Sequence, residues 1–332
     1  MRRVLIAPEL NAHLPPGGSS QHCFSGRTMG TSWTVRAMLD ASGDWQARLQ
    51  HALDAVVAQM SHWDSNSDLS RYNEALAGSW HALPAECMTV LRYALSVAEA
   101  CDGAYDPCAG ALVNLWGFGA RRRYDEAEFY APEAGAIDAI LARADRSRIK
   151  IDPISGKVLQ PGGLQLDFSS VAKGFAVDQL ARLLEGSGVH HYLIEVGGEL
   201  RGAGMKRDVQ PWWVGLEAVP GSDDASPVVV ALHGLSIATS GDYRRYFEHA
   251  GWRASHTLDP RTGYPIRNEV ASVTVLHPEC MAADALSTAL SVLGPDAGLA
   301  FANRHALAAR FLLRRDSAVE ERSSAAFNAL LA

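Results

Sequence analysis

Apolar and polar residues alternate over residues 31–39, the period-two signature of a half-buried strand, whereas residues 45–60 repeat apolar positions at helical spacing. A second helix is predicted over 85–100, ended by Asp102-Gly103, and a short one over 109–115, closed by Gly117 and Gly119. Residues 1–26, rich in Pro, Gly and polar groups, are expected to form a loose arm. Residues 121–147 are expected to be a charged, helical excursion from the core. From 148 the texture changes to short extended runs: a hairpin over 149–159 around a Pro-x-Ser-Gly turn, then a short strand over 164–168 leading into a helix over 170–184. Further strands are expected at 191–196, 212–218, 228–232, 253–258 and 270–276. A helix over 279–293 stops at Gly294-Pro295, and 306–313 reads as a last strand, followed by a tail over 316–332. Hairpins mixed with a few core helices imply an α+β fold rather than a doubly wound parallel sheet. No GxGxxG follows a strand and no GxxxxGK[ST] loop is present, which argues against dinucleotide-binding and P-loop folds.

Composition narrows the class without naming a chemistry. At 332 residues and 48% hydrophobic content the chain can bury a large core. A net charge of −7 argues against a nucleic-acid binder, which would present a basic face. The five cysteines are scattered, and none has zinc-ligand or CxxC spacing. The apolar run Val4–Ala7 stops at Pro8 and is too short for a signal-peptide core, Cys23 has no lipobox before it, and no segment is expected to span a bilayer. The expected compartment is therefore cytoplasmic as the chain is written, or periplasmic and membrane-anchored if a leader has been removed.

Candidate chemistry gathers in a few segments, each with two readings. In Leu166-Asp167-Phe168-Ser169-Ser170-Val171-Ala172-Lys173-Gly174 a carboxylate and two hydroxyl residues precede a helix that has a lysine in its first turn. Helix N-termini favour anions, so this is either an anion-binding end or simple capping by Ser169 or Ser170 beside a solvated Lys173. Asp284, Ser287 and Thr288, at i, i+3 and i+4, share one helix face. They suit Mg²⁺, which takes hard oxygen ligands and bridges protein to phosphate, or they are a polar surface face. Asp259-Pro260-x-x-Gly263 builds a turn that holds His256 beside it. There a histidine can act as a general base or merely pack. Gly103 to Gly119 and Met60 to Asn73 are rich in aromatics and glycines that either wall a flat ring or, for Trp116 and Phe118, belong to the core.

Taken together, these segments resemble the ApbE family of FAD:protein FMN transferases over nearly all of residues 28–313. The markers are Met29-Gly30-Thr31, Ser70-Arg71-Tyr72-Asn73, Asn114 to Gly119, Asp167 to Gly174, Gly197-Gly198-Glu199, Ala238 to Tyr243, His256 to Gly263 and Ala283 to Thr288. The resemblance implies one domain over 27–315 with a tandem α+β architecture of mixed and antiparallel sheets and packed helices, and FAD in a cleft between the halves. It further implies transfer of FMN from FAD to a Thr or Ser hydroxyl of an acceptor flavoprotein, with AMP leaving and Mg²⁺ as cofactor. By the same resemblance Met29, Trp63, Tyr105, Asp106, Asp167, Lys173 and Leu258 are expected FAD contacts. Ser170, Asp284, Ser287 and Thr288 are expected at the Mg²⁺ site, Ser170 through its backbone carbonyl. Lys173 and His256 are the candidate catalytic residues. Pro107-Cys108 and Phe168-Ser169-Ser170 depart from the family's usual residues. An FAD pyrophosphatase and a non-catalytic FAD-binding protein are the competing functions.

Overall fold

The computed structural model describes residues 3–7, 13–40, 43–121, 123–219, 227–243, 245–249, 251–315 and 318–331. They divide into two compact units, one of Met1–Ala55, Lys173–Gly241 and Asn268–Ala332, the other of Val56–Ala172 and Asp242–Arg267.

The first unit is built on an eight-stranded sheet. Its strands run in the order Ala318–Ser323, Ala308–Arg315, Val270–His277, Leu235–Gly241, Glu199–Ala203, Tyr192–Val196, Thr31–Leu39 and Ser20–Thr28, every neighbouring pair antiparallel. A second sheet of three strands places Val228–Leu232 between Arg3–Ile6, which is parallel to it, and Trp212–Gly215, which is antiparallel. Leu5, Met38, Leu193, Trp212, Val230, Leu232 and Phe327 fill one core cluster, and each such buried side chain contributes about 1.5–3 kcal/mol. The sheets are mixed and antiparallel, as expected of an α+β chain.

Two expectations at the chain ends are corrected. Arg3–Ile6 and Ser20–Thr28 are strands rather than a loose arm, and Ala318–Ser323 with the helix Ala325–Ala329 replaces the expected tail. Ser20–Thr28 and Ala318–Ser323 are the edge strands of the large sheet, each paired on one side only. Ser20–Thr28 buries little, so its sequence carries no strong apolar alternation.

Helix Cys280–Arg304 packs on strands Leu235–Gly241 and Val270–His277. It breaks at Gly294, as Gly294-Pro295 predicts (φ 80°, ψ 179°), yet it restarts and runs on to Arg304. Pro295 opens the second segment, where its missing N–H costs no helical hydrogen bond. Against the sequence expectation, this helix is long and apolar enough to cross a bilayer by length and composition. Most of its first segment is nonetheless buried against protein.

The second unit relies on short elements: helices Asp68–Asn73, Ala85–Ala100, Gly110–Leu115 and Ala134–Leu141, and the paired ribbons Trp80–His81/Val158–Leu159, Tyr246–His249/Trp252–Ser255 and Leu258–Asp259/Tyr264–Pro265. Trp116, Phe118, Leu112, Ile137 and Leu258 form its core, and the Trp116 indole donates to the Gly263 carbonyl at 2.7 Å. The core reading of Trp116 and Phe118 holds. Among the described residues of the expected helical excursion, only Ala134–Leu141 and a 3₁₀ turn at Arg146–Arg148 are helical. The expected strand at 164–168 reduces to one bridge, Gln165 to Ala109. The main chain of Leu166 is bonded instead by the Asn73 side chain, at 2.8 Å in both directions.

Candidate functional site

In the first unit, helices Ala172–Glu185 and Cys280–Arg304 meet at Gly174, where a Cβ would lie 2.3 Å from the Cys280 carbonyl oxygen. Only glycine permits this approach. It lets the Gly174 N–H donate to Asp284 Oδ2 at 2.9 Å. Four residues further on, Asp178 accepts from the Cys280 and Met281 N–H groups at 3.1 and 2.9 Å. These are open donors of a helix first turn, so a neighbouring helix caps the one that bears Asp284. Arg201 holds Asp178 at 2.6 Å.

Three and four residues beyond Asp284, on the same helix face, Ser287 and Thr288 converge on Ser240, with Oγ–Oγ and Oγ–Oγ1 distances of 2.7 and 2.9 Å. Ser287 also donates to the Asp284 carbonyl at 2.9 Å. A hydroxyl has one proton to give, so the chain runs from Thr288 to Ser240 to Ser287 to the Asp284 carbonyl. Lone pairs on Thr288 Oγ1 stay available. With the Asp284 carboxylate these make an oxygen-only donor set, which fits a hard cation such as Mg²⁺. Among the described residues no cluster of three or more His, Cys, Asp or Glu side chains has metal-binding geometry.

Charge in this cluster is tightly balanced. Lys173 pairs with Glu199. Burial opposes the lysine's charge, but Glu199 and Asp284 outweigh it and hold its pKa above the ordinary value. Burial pushes the Glu199 carboxyl up to about 7, against the pull of Lys173. Burial also raises Asp284, while Lys173 and the Gly174 N–H pull it back.

In the second unit a pocket of about 260 Å³ is lined by His62, Trp63, Ser70, Asn73, Asn114 and Asp167, among others. Asp167 Oδ1 accepts from the Ser169 N–H at 2.7 Å and lies 3.5 Å from His62 Nδ1. Asp167 Oδ2, His62 Nε2 and Asn114 Oδ1 are buried without a hydrogen-bond partner. A native interior leaves few such atoms unpaired, so they are groups a ligand can satisfy. Trp63, also part of the lining, is 47% exposed; its ring lies 5.3 Å from that of His62 and has the Arg123 guanidinium 6.0 Å from its centroid.

The structure therefore brings Lys173, Asp284, Ser287 and Thr288 into one cluster, and Trp63 and Asp167 round one pocket. Met29 occupies the hairpin turn between Ser20–Thr28 and Thr31–Leu39, at φ 49° and followed by Gly30 at φ 72°. A left-handed methionine is strained, a feature that clusters at functional sites. Ser170 is a half-buried turn residue just ahead of Ala172–Glu185. Tyr105 is buried, and Asp106 accepts from the Cys108 N–H at 2.8 Å with Arg146 at 3.4 Å. Burial raises the Asp106 carboxyl, while the Cys108 N–H and Arg146 lower it. His256 Nδ1 lies 3.2 Å from the Arg245 carbonyl, and its ring meets Phe118 edge-on. Asp259 and Gly263 build the expected turn, through the Gly263 N–H to the Asp259 carbonyl at 2.8 Å. Leu258 is a core residue, with its side chain packed in the Trp116 cluster.

The sequence gives Glu199, His62 and Asn73 no individual role, and Ser240 only that of a small hydroxyl before Gly241 that can approach a phosphate or ring edge. Glu199 and Asn73 stood inside marker motifs, yet only folding reveals which backbone or side chain each meets.

A sequence profile of the ApbE family matches residues 29–311. The FAD:protein FMN transferase of Vibrio cholerae is 37% identical over 316 residues, covering 93% of this chain and 92% of that protein. That of Haemophilus influenzae is 36% identical over 321 residues, covering 92% and 90%. The flavinyl transferase ApbE of Pseudomonas stutzeri, solved in its apo form, superposes with a TM-score of 0.85 at 37% identity, over 94% of this chain and 97% of that one. The flavin transferase ApbE of Vibrio cholerae superposes with a TM-score of 0.84. With profile, sequence and fold agreeing over nearly the whole length, the chain belongs to the ApbE family.

Proposed function

We propose that this chain transfers FMN from FAD to a threonine or serine hydroxyl of an acceptor protein, releasing AMP, with Mg²⁺ as cofactor. The observation that carries the reading is the cluster of Asp284, Ser240, Ser287, Thr288 and Lys173, which offers hard oxygens beside a fixed cation. The relatives it resembles are named FAD:protein FMN transferases. Asp284 and Thr288, with Ser287 close by, would hold Mg²⁺. When bound, Mg²⁺ offsets negative charge on the pyrophosphate oxygens. Lys173, at the positive end of its helix, stabilises the same charge. The Asp167 and Trp63 pocket supplies acceptors and a stacking face for a ring of FAD.

The acceptor hydroxyl attacks the FMN-side phosphorus as its P–O bond to the AMP phosphate breaks, and the hydroxyl proton passes to a base. His256 is assigned that role. Its Nδ1 lies 3.2 Å from the Arg245 carbonyl, a contact that needs the proton on Nδ1. The test is incubation with FAD and Mg²⁺, with and without an acceptor protein bearing a surface threonine. AMP together with a fluorescent acceptor band supports transfer. AMP with free FMN in the absence of acceptor supports a pyrophosphatase, and no AMP in either case supports an FAD-binding protein.

A further inference from the structure

We propose that Glu199 is a positioning residue for this reaction: it anchors the Lys173 ammonium at the head of its helix, away from Asp284. The inference rests on the functional reading above. Lys173 has two carboxylates within electrostatic reach, Glu199 and Asp284, but the ion pair forms with Glu199. Asp284 is thereby left to the Gly174 N–H and to a cation.

The hairpin that carries Glu199 is built for this placement. Strands Tyr192–Val196 and Glu199–Ala203 join through Gly197 and Gly198, at φ 61° and 104°, a left-handed pair that glycine adopts without penalty. The turn is pinned by the Gly197 N–H to the Ser32 carbonyl at 3.0 Å and the Gly198 N–H to Glu195 Oε1 at 2.8 Å. A Cβ on Gly197 would lie 3.4 Å from Lys173 Cδ and 2.8 Å from Thr31 Cγ2, so the turn also braces the lysine stem. Glu199 is only 3% exposed, and its second oxygen, Oε2, is buried without a hydrogen-bond partner. A carboxylate kept for stability alone would have both oxygens satisfied. Half-satisfied and set against a helix-end lysine, this one fixes where the positive charge sits before a pyrophosphate arrives.

The test is a cycle of E199Q, K173M and the double variant, following AMP release from FAD with Mg²⁺ and an acceptor protein bearing a surface threonine. E199Q is expected to lower kcat roughly tenfold while KM for FAD stays within about threefold, and to add nothing to K173M, because its effect passes through the lysine. Parental kcat in E199Q overturns the inference. So does a loss confined to KM, or one of equal size in the K173M background. If E199Q does not fold, E199D, which keeps the charge but shortens its reach, is taken through the same cycle and must show the same dependence on Lys173. A parent enzyme that releases no AMP defeats the functional reading, and the inference with it. A parent that does, beside an E199Q enzyme of parental kcat, defeats the inference alone.

Discussion

The two units carry their functional groups on different materials. In the first, Lys173, Glu199 and Asp284 stand on two helices and a hairpin of the eight-stranded sheet, clamped at Gly174 and Asp178. In the second, Trp63, His62 and Asp167 stand on loops and short helices, held by side chains that bond main chain. Asn73 reaches Leu166, Gln160 donates to the Tyr72 carbonyl at 2.9 Å, and Ser70 and Ser67 both donate to the Ser61 carbonyl. The contrast teaches a division of tolerance. Charges that act on a phosphate need sub-ångström placement, which regular elements supply. A ring wall needs complementary shape and a few acceptors, which loops can provide.

If that division is right, disturbing the rigid cluster should damage rate, and disturbing the loop-built pocket should damage affinity. The largest effect is expected from D284N, which keeps the shape but removes the charge. Its kcat should fall about a hundredfold to a thousandfold, read as AMP release at saturating FAD and Mg²⁺. A variant retaining half the parental rate would break the comparison.

Next comes G174A. Its methyl group would press on the Cys280 carbonyl, destabilising the protein by about 1–3 kcal/mol and lowering kcat in the fraction that folds. Denaturant melts and kinetics on the same preparation check both. An unchanged rate per folded molecule would mean that the helix crossing does not set the geometry of Asp284.

N73A should act in the other unit and on the other parameter. Losing both bonds to Leu166 frees the segment that bears Asp167, so the Kd for FAD should rise roughly tenfold, equivalent to about 1.4 kcal/mol, with kcat at saturation nearly parental. Calorimetric titration with FAD separates the two, and a loss in kcat alone would reverse the assignment of tasks.

The smallest effect concerns the scaffold of the first unit. Burial, with His190, His233 and His13 nearby, holds the pKa of His191 below its ordinary 6.5, and its Nδ1 accepts from the Met205 N–H at 2.9 Å, which requires a neutral ring. The folded-state value is depressed, so this contribution is present above 6.5 and is lost as pH falls through the folded value. The slope is at most about 1.4 kcal/mol per pH unit for one proton. Urea melts between pH 7.5 and 5 should show a shallower acid loss in H191Q than in the parent; equal slopes would remove His191 from the account.

Much of the fold was legible locally. Residues 31–39, 45–60 and 85–100 form the expected strand and two helices with the same bounds, because each has a single buried face and its apolar period records it. Segments without such a face were misread. Ser20–Thr28 is a polar edge strand, and the stretch at 164–168 is held by the Asn73 side chain and by main-chain bonds to the 107–110 loop rather than by a neighbouring strand. In the site, Asp284, Ser287 and Thr288 could be grouped because helical spacing alone puts them on one face. Ser240 joins them from a strand 47 residues from Ser287, which no local pattern encodes.

By itself, then, the sequence determined the family, the helix face with its carboxylate and hydroxyls, and the lysine in a helix first turn, since each is a short-range pattern of residue types. Only the tertiary structure decided which partner each charge takes. Lys173 pairs with Glu199 and Asp284 with the Gly174 N–H because a glycine crossing brings two helices together and a Gly-Gly hairpin sets a carboxylate against the lysine stem. Pairings of that kind depend on distances between segments far apart in the chain, and so they exist only once the sheet and its helices have packed.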